Sequence, residues 1–248
     1  MPIYIKDLPE IEKMRAAGKL ARDTMALVES LIKPGITELA LNNAAHDFIV
    51  SHRATPSFLN YRNFPMSICV SVNNAVIHGV PSKNILKDGD IVGIDIGVYL
   101  DGFHGDVART FPVGRVSKEA ERLIAVTRQS FFEGMHYAKE GNNLHEISGA
   151  LEDYVVANGF TTLKEYYGHG VGRKLHEKPD IPCFRVKPKG VKLQKGMTLA
   201  VEPMVCAGKC DVYTAKDAFT VLTIDGSLGA HYENTILITD GEPEYLTL

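Results

Sequence analysis

Two acids stand in apolar, strand-like runs, each six residues after a turn glycine. The first run is Gly89-Asp90-Ile91-Val92-Gly93-Ile94-Asp95 and the second is Gly196-Met197-Thr198-Leu199-Ala200-Val201-Glu202. Runs this apolar belong in a core, where a lone ionised carboxylate is costly unless it is paired. The two acids therefore predict a cation between them. Asp106 follows Asp95 across Val98-Tyr99-Leu100-Asp101-Gly102-Phe103, a hairpin signal with Asp-Gly in the loop. With that loop Asp106 opposes Gly97, and strand alternation puts Asp95 and Asp106 on one face. Two like charges so placed repel unless a proton or a metal lies between them. Glu233 adds a fourth acid near the start of a further strand-like run, residues 230–238. Taken singly it has the character of a surface or salt-bridged Glu.

His169 lies in Tyr166-Tyr167-Gly168-His169-Gly170-Val171-Gly172, where glycines let the backbone crowd around the imidazole. The glycine spacing fits neither a dinucleotide fingerprint nor a P-loop. His176-Glu177 does not open an HExxH zinc helix, because position 180 is Asp180. His78, beside Gly79, has by itself the character of a structural hydrogen bonder. Together, four carboxylates and one imidazole suit Mn²⁺, Fe²⁺, Co²⁺ or Zn²⁺ and argue against a thiolate zinc site. Four carboxylates exceed the needs of one cation and match two divalent ions bridged by carboxylates, about 3.5–4 Å apart.

Elements that could position this set are legible. Ile11, Met14, Ala17, Ala21, Met25, Val28 and Ile32 repeat at helical spacing over residues 8–33, and Lys33-Pro34-Gly35 stops the helix. Thr37 caps a second helix to about Arg53, Ser117 a third to about Lys139, and a fourth runs from about Leu144 to Asn158. Gly35 and Gly141 stand 106 residues apart, as do Asp47-Phe48-Ile49-Val50 and Asp153-Tyr154-Val155-Val156, while Asp95 and Glu202 stand 107 apart. This near-constant offset predicts an internal duplication. The expectation is an α+β fold with pseudo-twofold symmetry, an antiparallel sheet covered by helices, and the acid strands meeting near the axis. No Ser/Pro/Gly-rich linker divides the halves, so residues 1–248 are expected to form one catalytic domain, with repeats at roughly 8–112 and 117–240.

Composition narrows the function. The 248 residues are 45% hydrophobic with a net charge of −3, so no basic field favours nucleic acid. No uncharged apolar run reaches the ~18 residues of a membrane helix, and the start shows no signal-peptide core. Cys69, Cys183, Cys206 and Cys210 form no disulfide grid or zinc site, and all four are expected to be reduced cytosolic thiols.

Asp95, Asp106, His169, Glu202 and Glu233, with His78 and His176, resemble the site set of the methionine aminopeptidases, a family with the pita-bread fold. Val76-Ile77-His78-Gly79-Val80-Pro81, Asp101-Gly102-Phe103-His104-Gly105-Asp106, Gly168-His169-Gly170-Val171-Gly172 and Val201-Glu202-Pro203-Met204 carry the likeness, which spans essentially the whole chain. The short stretch between His169 and Glu202 and the absence of a zinc-ribbon extension point to the bacterial-style type 1 branch. The resemblance implies removal of the initiator Met from nascent polypeptides whose second residue is small. It implies two divalent ions on Asp95, Asp106, His169, Glu202 and Glu233, with Glu202 also the proton shuttle. His176 would contact the scissile carbonyl and His78 the substrate backbone near the leaving amide. Phe58, Tyr61, Phe64, Cys69, Leu175 and Phe219 would form the Met pocket, reshaped where relatives carry a small cysteine at the Phe58 position and larger aromatics at Leu175 and Phe219. By analogy, backbone oxygens near Asn73, Ala75 and Gly229 would hold a monovalent cation. The family habit is a cytoplasmic monomer meeting nascent N-termini at the ribosome, with no membrane contact. A prolidase or aminopeptidase P shares the fold and ligands but usually carries an additional N-terminal domain. A non-catalytic binding relative would have lost ligands that are present here.

Overall fold

A computed structural model describes residues 2–187 and 189–248. Asp7 caps helix α1 (Leu8–Leu31) through a reciprocal pair with Glu10, and the buried stripe includes Ile11, Met14, Ala17, Ala21, Met25 and Val28. Thr37 accepts from the Ala40 N–H to cap α2 (Glu38–Ser51), and Ser117 caps α3 (Lys118–Met135) in the same way. Asn143 and Glu146 form the capping box of α4 (Leu144–Ala157). The third helix stops four residues short of its expected end. After Gly134 the chain tightens, with Tyr137 N–H bonding the Gly134 carbonyl and Ala138 N–H that of Met135.

The strands in chain order are β1 (Thr55–Pro56), β2 (Cys69–Val72), β3 (Ala75–Ile77), β4 (Ile91–Leu100), β5 (Phe103–Pro112), β6 (Thr161–Thr162), β7 (Tyr167–Gly170) and β8 (Glu177–Pro182). They continue with β9 (Thr198–Val201), β10 (Met204–Cys206), β11 (Val212–Thr214), β12 (Val221–Thr223), β13 (Gly229–His231), β14 (Glu233–Leu237) and β15 (Glu244–Tyr245). Among the described residues nine strands form one antiparallel sheet in the order β1-β4-β5-β14-β9-β7-β8, with β2 on β4 and β15 on β14. Two small sheets, β13-β10-β6 and β11-β12-β3, flank it.

Helix α1 packs on β4 and β5, and α2 on α1, β1 and β2, around one core that includes Val92, Ile94, Ile96, Val98 and Val107. Phe131, Met135, Leu144, Ile147 and Leu151 of α3 and α4 share a second core with Leu199, Val201 and Ile236. Each acid strand is thus buried against its own helix pair. That burial leaves the opposite parity of every central strand free to face the other way.

One cysteine expectation is overturned. Cys206 and Cys210 are joined as a disulfide, while Cys69 and Cys183 are free and buried. Cys206 ends β10, and the turn that follows places Cys210 in a left-handed conformation with the two Cα atoms 5.3 Å apart, inside disulfide reach. The spacing was unlike a CxxC, but a tight turn closes four residues as readily as three.

Candidate active site

Strand register collects the acids. The hairpin loop falls at Asp101-Gly102, so Gly97 opposes Asp106 as expected. Asp95, Ala108 and Glu233 form one row across β4, β5 and β14. His169, Ala200 and Thr235 form another across β7, β9 and β14. Opposed residues share a face, and so do residues two apart along a strand. Asp95, Asp106, Glu233, Glu202 and His169 therefore all project from the face away from the strand side chains that the helix cores bury. Small residues make room in this layer. A Cβ on Gly97 would meet Phe58 Cε1 at 2.7 Å, and one on Gly168 would meet the Ala200 carbonyl oxygen at 2.5 Å.

Side-chain threonines replace ladder bonds at the centre. Thr235 Oγ1 accepts the Asp106 N–H at 3.0 Å and donates to the Asp106 carbonyl at 2.9 Å. Thr110 Oγ1 does the same for His231, both contacts at 2.9 Å.

The carboxylates form a tight, buried cluster. His169 Nε2 lies 3.6 Å from Glu202 Oε1 and 3.9 Å from Asp106 Oδ2, and its Nδ1 faces the Gly170 carbonyl at 2.8 Å. That second contact holds Nε2 toward the acids. Among the described residues, no Lys or Arg makes an ion pair with the side chains of Asp95, Asp106, Glu202 or Glu233; the charge partners in reach of Asp106 and Glu202 are the imidazoles of His169 and His231. Burial, then the neighbouring carboxylates, pushes the Asp95, Glu202 and Glu233 carboxyls well above their ordinary range. Burial likewise raises Asp106. Burial pulls His169 down to about 4, so the ring is neutral.

This donor set fits a divalent cation. Asp95 Oδ1, Asp106 Oδ1 and Glu233 Oε1 are buried and lack a hydrogen-bond partner among the described residues. Such oxygens are costly unless a cation takes them. One ligand atom each from Asp106, His169 and Glu233 lies within 4.8 Å of the others. Glu202, His231 and Glu233 form a second such group. His231 was not anticipated. The available signal was its place two residues before Glu233, on the same strand parity.

The thirteen residues that the sequence offers as metal ligands, site histidines and apolar pocket all line one cleft of about 730 Å³; Asn73, Ala75 and Gly229 do not line it. Phe58, Phe64, Cys69 and Leu175 form its apolar wall, with Tyr61 and Phe219 packed against them. Phe64 and Phe219 meet edge to face at 5.2 Å. The exposed His176 stacks on Tyr61 at 5.2 Å between ring centres and lies 4.1 Å from the His169 ring. Partial burial of the His176 ring, then His169 and Arg62, pushes its pKa down. His78 has a left-handed backbone, φ 58°, of the kind that concentrates at functional sites. Burial pulls its pKa down to about 4. Asn73 and Gly229 also meet, the Gly229 N–H donating to the Asn73 carbonyl at 2.9 Å.

A further support was invisible in the sequence. Glu177, next to His176, makes a buried ion pair with Lys6 at 2.6 Å, the side chains 1% and 3% exposed. Its other oxygen accepts the Lys174 N–H at 3.1 Å. The N-terminal strap therefore fastens the loop that carries Leu175 and His176.

A cleft of buried carboxylates and imidazoles on a helix-backed antiparallel sheet has the make-up of a metallohydrolase site. The sequence profile of metallopeptidase family M24 matches residues 12–240. The chain is 51% identical over 246 residues to a methionine aminopeptidase of Clostridium perfringens, covering 99% of each. It superposes on the crystal structure of methionine aminopeptidase from Rickettsia prowazekii with a TM-score of 0.97 at 42% identity, covering both chains fully. An Xaa-Pro dipeptidase from Bacillus anthracis is more distant, with a TM-score of 0.78 at 26% identity, and the match covers 61% of that longer chain. The chain belongs to metallopeptidase family M24 and, within it, to the methionine aminopeptidases, and it has their pita-bread fold. It is a metal-dependent aminopeptidase that binds divalent cations.

Proposed function

We propose that this enzyme removes the initiator Met from nascent polypeptides whose second residue is small, with Asp95, Asp106, His169, Glu202 and Glu233 as ligands of two divalent ions. When bound, the ions supply Lewis acidity, an acidified water and a docking point for the free α-amine. Glu202, the cluster acid nearest both His169 and His231, takes the proton released by the attacking water and passes it to the leaving amine. His176, neutral and at the cleft mouth, donates its N–H to the carbonyl oxygen as negative charge develops there. His78 holds the substrate backbone near the leaving amide. The Phe58, Tyr61, Phe64, Cys69, Leu175 and Phe219 pocket takes the Met side chain, whose thioether packs well against aromatic edges and sulfur. Phe58 lies against Gly97 on one side of that pocket.

One observation carries the reading: the unpartnered, buried acid oxygens open into the same cleft as the apolar wall. The same reading takes Co²⁺, Mn²⁺, Fe²⁺ or Zn²⁺ as the ions and a monovalent cation near Asn73, Ala75 and Gly229. It takes residues 1–248 as one catalytic domain, duplicated at roughly 8–112 and 117–240, which the two helix-backed cores support. It also takes the enzyme as a cytoplasmic monomer working at the ribosome. Among the described residues no helix is long and apolar enough to cross a membrane. Assay of the metal-loaded enzyme on Met-Ala-Ser and on X-Pro peptides tests the substrate. Release of Met from Met-Ala-Ser is expected, and cleavage only before Pro would overturn the reading.

A further inference from the structure

Glu202 stands between two imidazoles. Its Oε1 faces His169 Nε2 at 3.6 Å, and its Oε2 faces His231 Nε2 at 3.3 Å. His169 belongs to the ligand set described above; His231 does not. The Thr110 hydroxyl pins the His231 backbone at both its N–H and its carbonyl. The residue is 4% exposed, and its Nε2 has no hydrogen-bond partner among the described residues. At 3.3 Å from a carboxylate oxygen the alignment of a hydrogen bond is missing, so the nitrogen is buried without its usual compensation. The spacing suits a shared cation instead. Ligand atoms at ~2.0–2.1 Å from a tetrahedral ion lie about 3.3–3.4 Å apart. Ligand atoms of Glu202, His231 and Glu233 also lie within 4.8 Å of one another.

We propose that Glu202, His231 and Glu233 form a further divalent-metal position beside the Asp95–Asp106–His169 side of the cluster, with His231 as its nitrogen ligand. The inference rests on reading the cleft as a metal centre and adds a second imidazole to it. A nitrogen donor favours Co²⁺ or Zn²⁺ over Mn²⁺, so this position selects the softer ions.

Titration of the full chain with Co²⁺, followed by paramagnetic proton NMR, tests it. Each imidazole bound through Nε2 contributes one hyperfine-shifted, exchangeable Nδ1–H signal. Two such signals are expected in the unaltered protein. His231→Gln, close to isosteric, is expected to keep one signal and to bind one equivalent of Co²⁺ less. A single signal in the unaltered protein, with equal Co²⁺ uptake by both proteins, would place His231 outside the metal shell and overturn the inference. The signal count in the unaltered protein holds even if the variant folds poorly. No Co²⁺ uptake at all by the unaltered protein would overturn the metal-centre reading beneath it.

Discussion

The floor of the cleft and its rim are built by different means. On the floor, Asp95, Asp106 and Glu233 stand on strands whose other faces are locked into helix cores, and register alone aligns them. On the rim, His176 and Leu175 ride on a loop, and His78 sits at a left-handed residue between β3 and the following turn. The floor is positioned by pleat and pairing over long strands. The rim depends on single contacts, such as the Lys6–Glu177 pair. Damage to the floor should therefore remove the chemistry, whereas damage to the rim should slow it and leave metal binding intact.

The floor gives the largest expected effect. Glu202→Ala removes both a ligand and the proposed proton carrier, so turnover on a Met-peptide should fall by at least on the order of 10²–10⁴-fold. Metal uptake, followed by calorimetry, should weaken as well. Near-normal activity with added Co²⁺ or Mn²⁺ would break the assignment. On the rim, His176→Ala should lower kcat by about 100-fold, the size of one lost transition-state donor. Its metal affinity should stay unchanged, because the ring is exposed and outside the acid cluster. Equal losses of turnover and metal binding would erase the distinction between floor and rim.

The strap gives a smaller catalytic effect and a clear structural one. Lys6→Met leaves Glu177 charged, buried and unpaired, at a cost of about 3–5 kcal/mol in stability. Activity should fall because the His176 loop is loosened, while Co²⁺ uptake persists. Adding Glu177→Gln removes the orphan charge and should recover most of the lost stability in thermal melts. A double variant as unstable as the single one would mean that Lys6 acts by packing rather than by charge.

What was legible in the sequence follows the same division. Period-two alternation and an Asp-Gly loop carry the β4–β5 register, so Gly97 opposite Asp106 could be read without coordinates. Caps at Thr37 and Ser117 are local and equally readable. Long-range contacts between unlike segments left no pattern. Lys6 and Glu177 lie 171 residues apart with no shared period. His231 stood in a phrase already noted for Glu233, but its importance comes from Glu202, brought in by β9. The Cys206–Cys210 bond depends on the left-handed backbone of Cys210 itself, a conformation that its residue type does not announce.

Metal removal separates chemistry from fold most finely. EDTA should abolish activity with little loss of circular dichroism, because the strands that hold the floor are paired and packed without help from a thiolate site. The effect of pH follows from the direction of each shift. The buried carboxyls, raised by burial and by one another, hold their protons more tightly folded than unfolded. They contribute stability at acid pH that is lost as pH rises through and above the ordinary carboxylate range. The buried imidazoles of His169 and His231, pulled down to about 4 and about 3, have the opposite sign: their contribution is full above their ordinary value and is lost as pH falls. The metal-free fold should therefore show a shallow dependence of Tm on pH between 5 and 7, the two trends opposing each other. Each ion captured must displace protons from carboxyls, so capture strengthens as pH rises and releases protons to the buffer. The rise in Tm on adding Mn²⁺ should be larger at pH 7 than at pH 5, and calorimetry in buffers of different ionisation heat should detect the released protons. An equal rise at both pH values, with no proton release, would mean that the four acids are not the ligands.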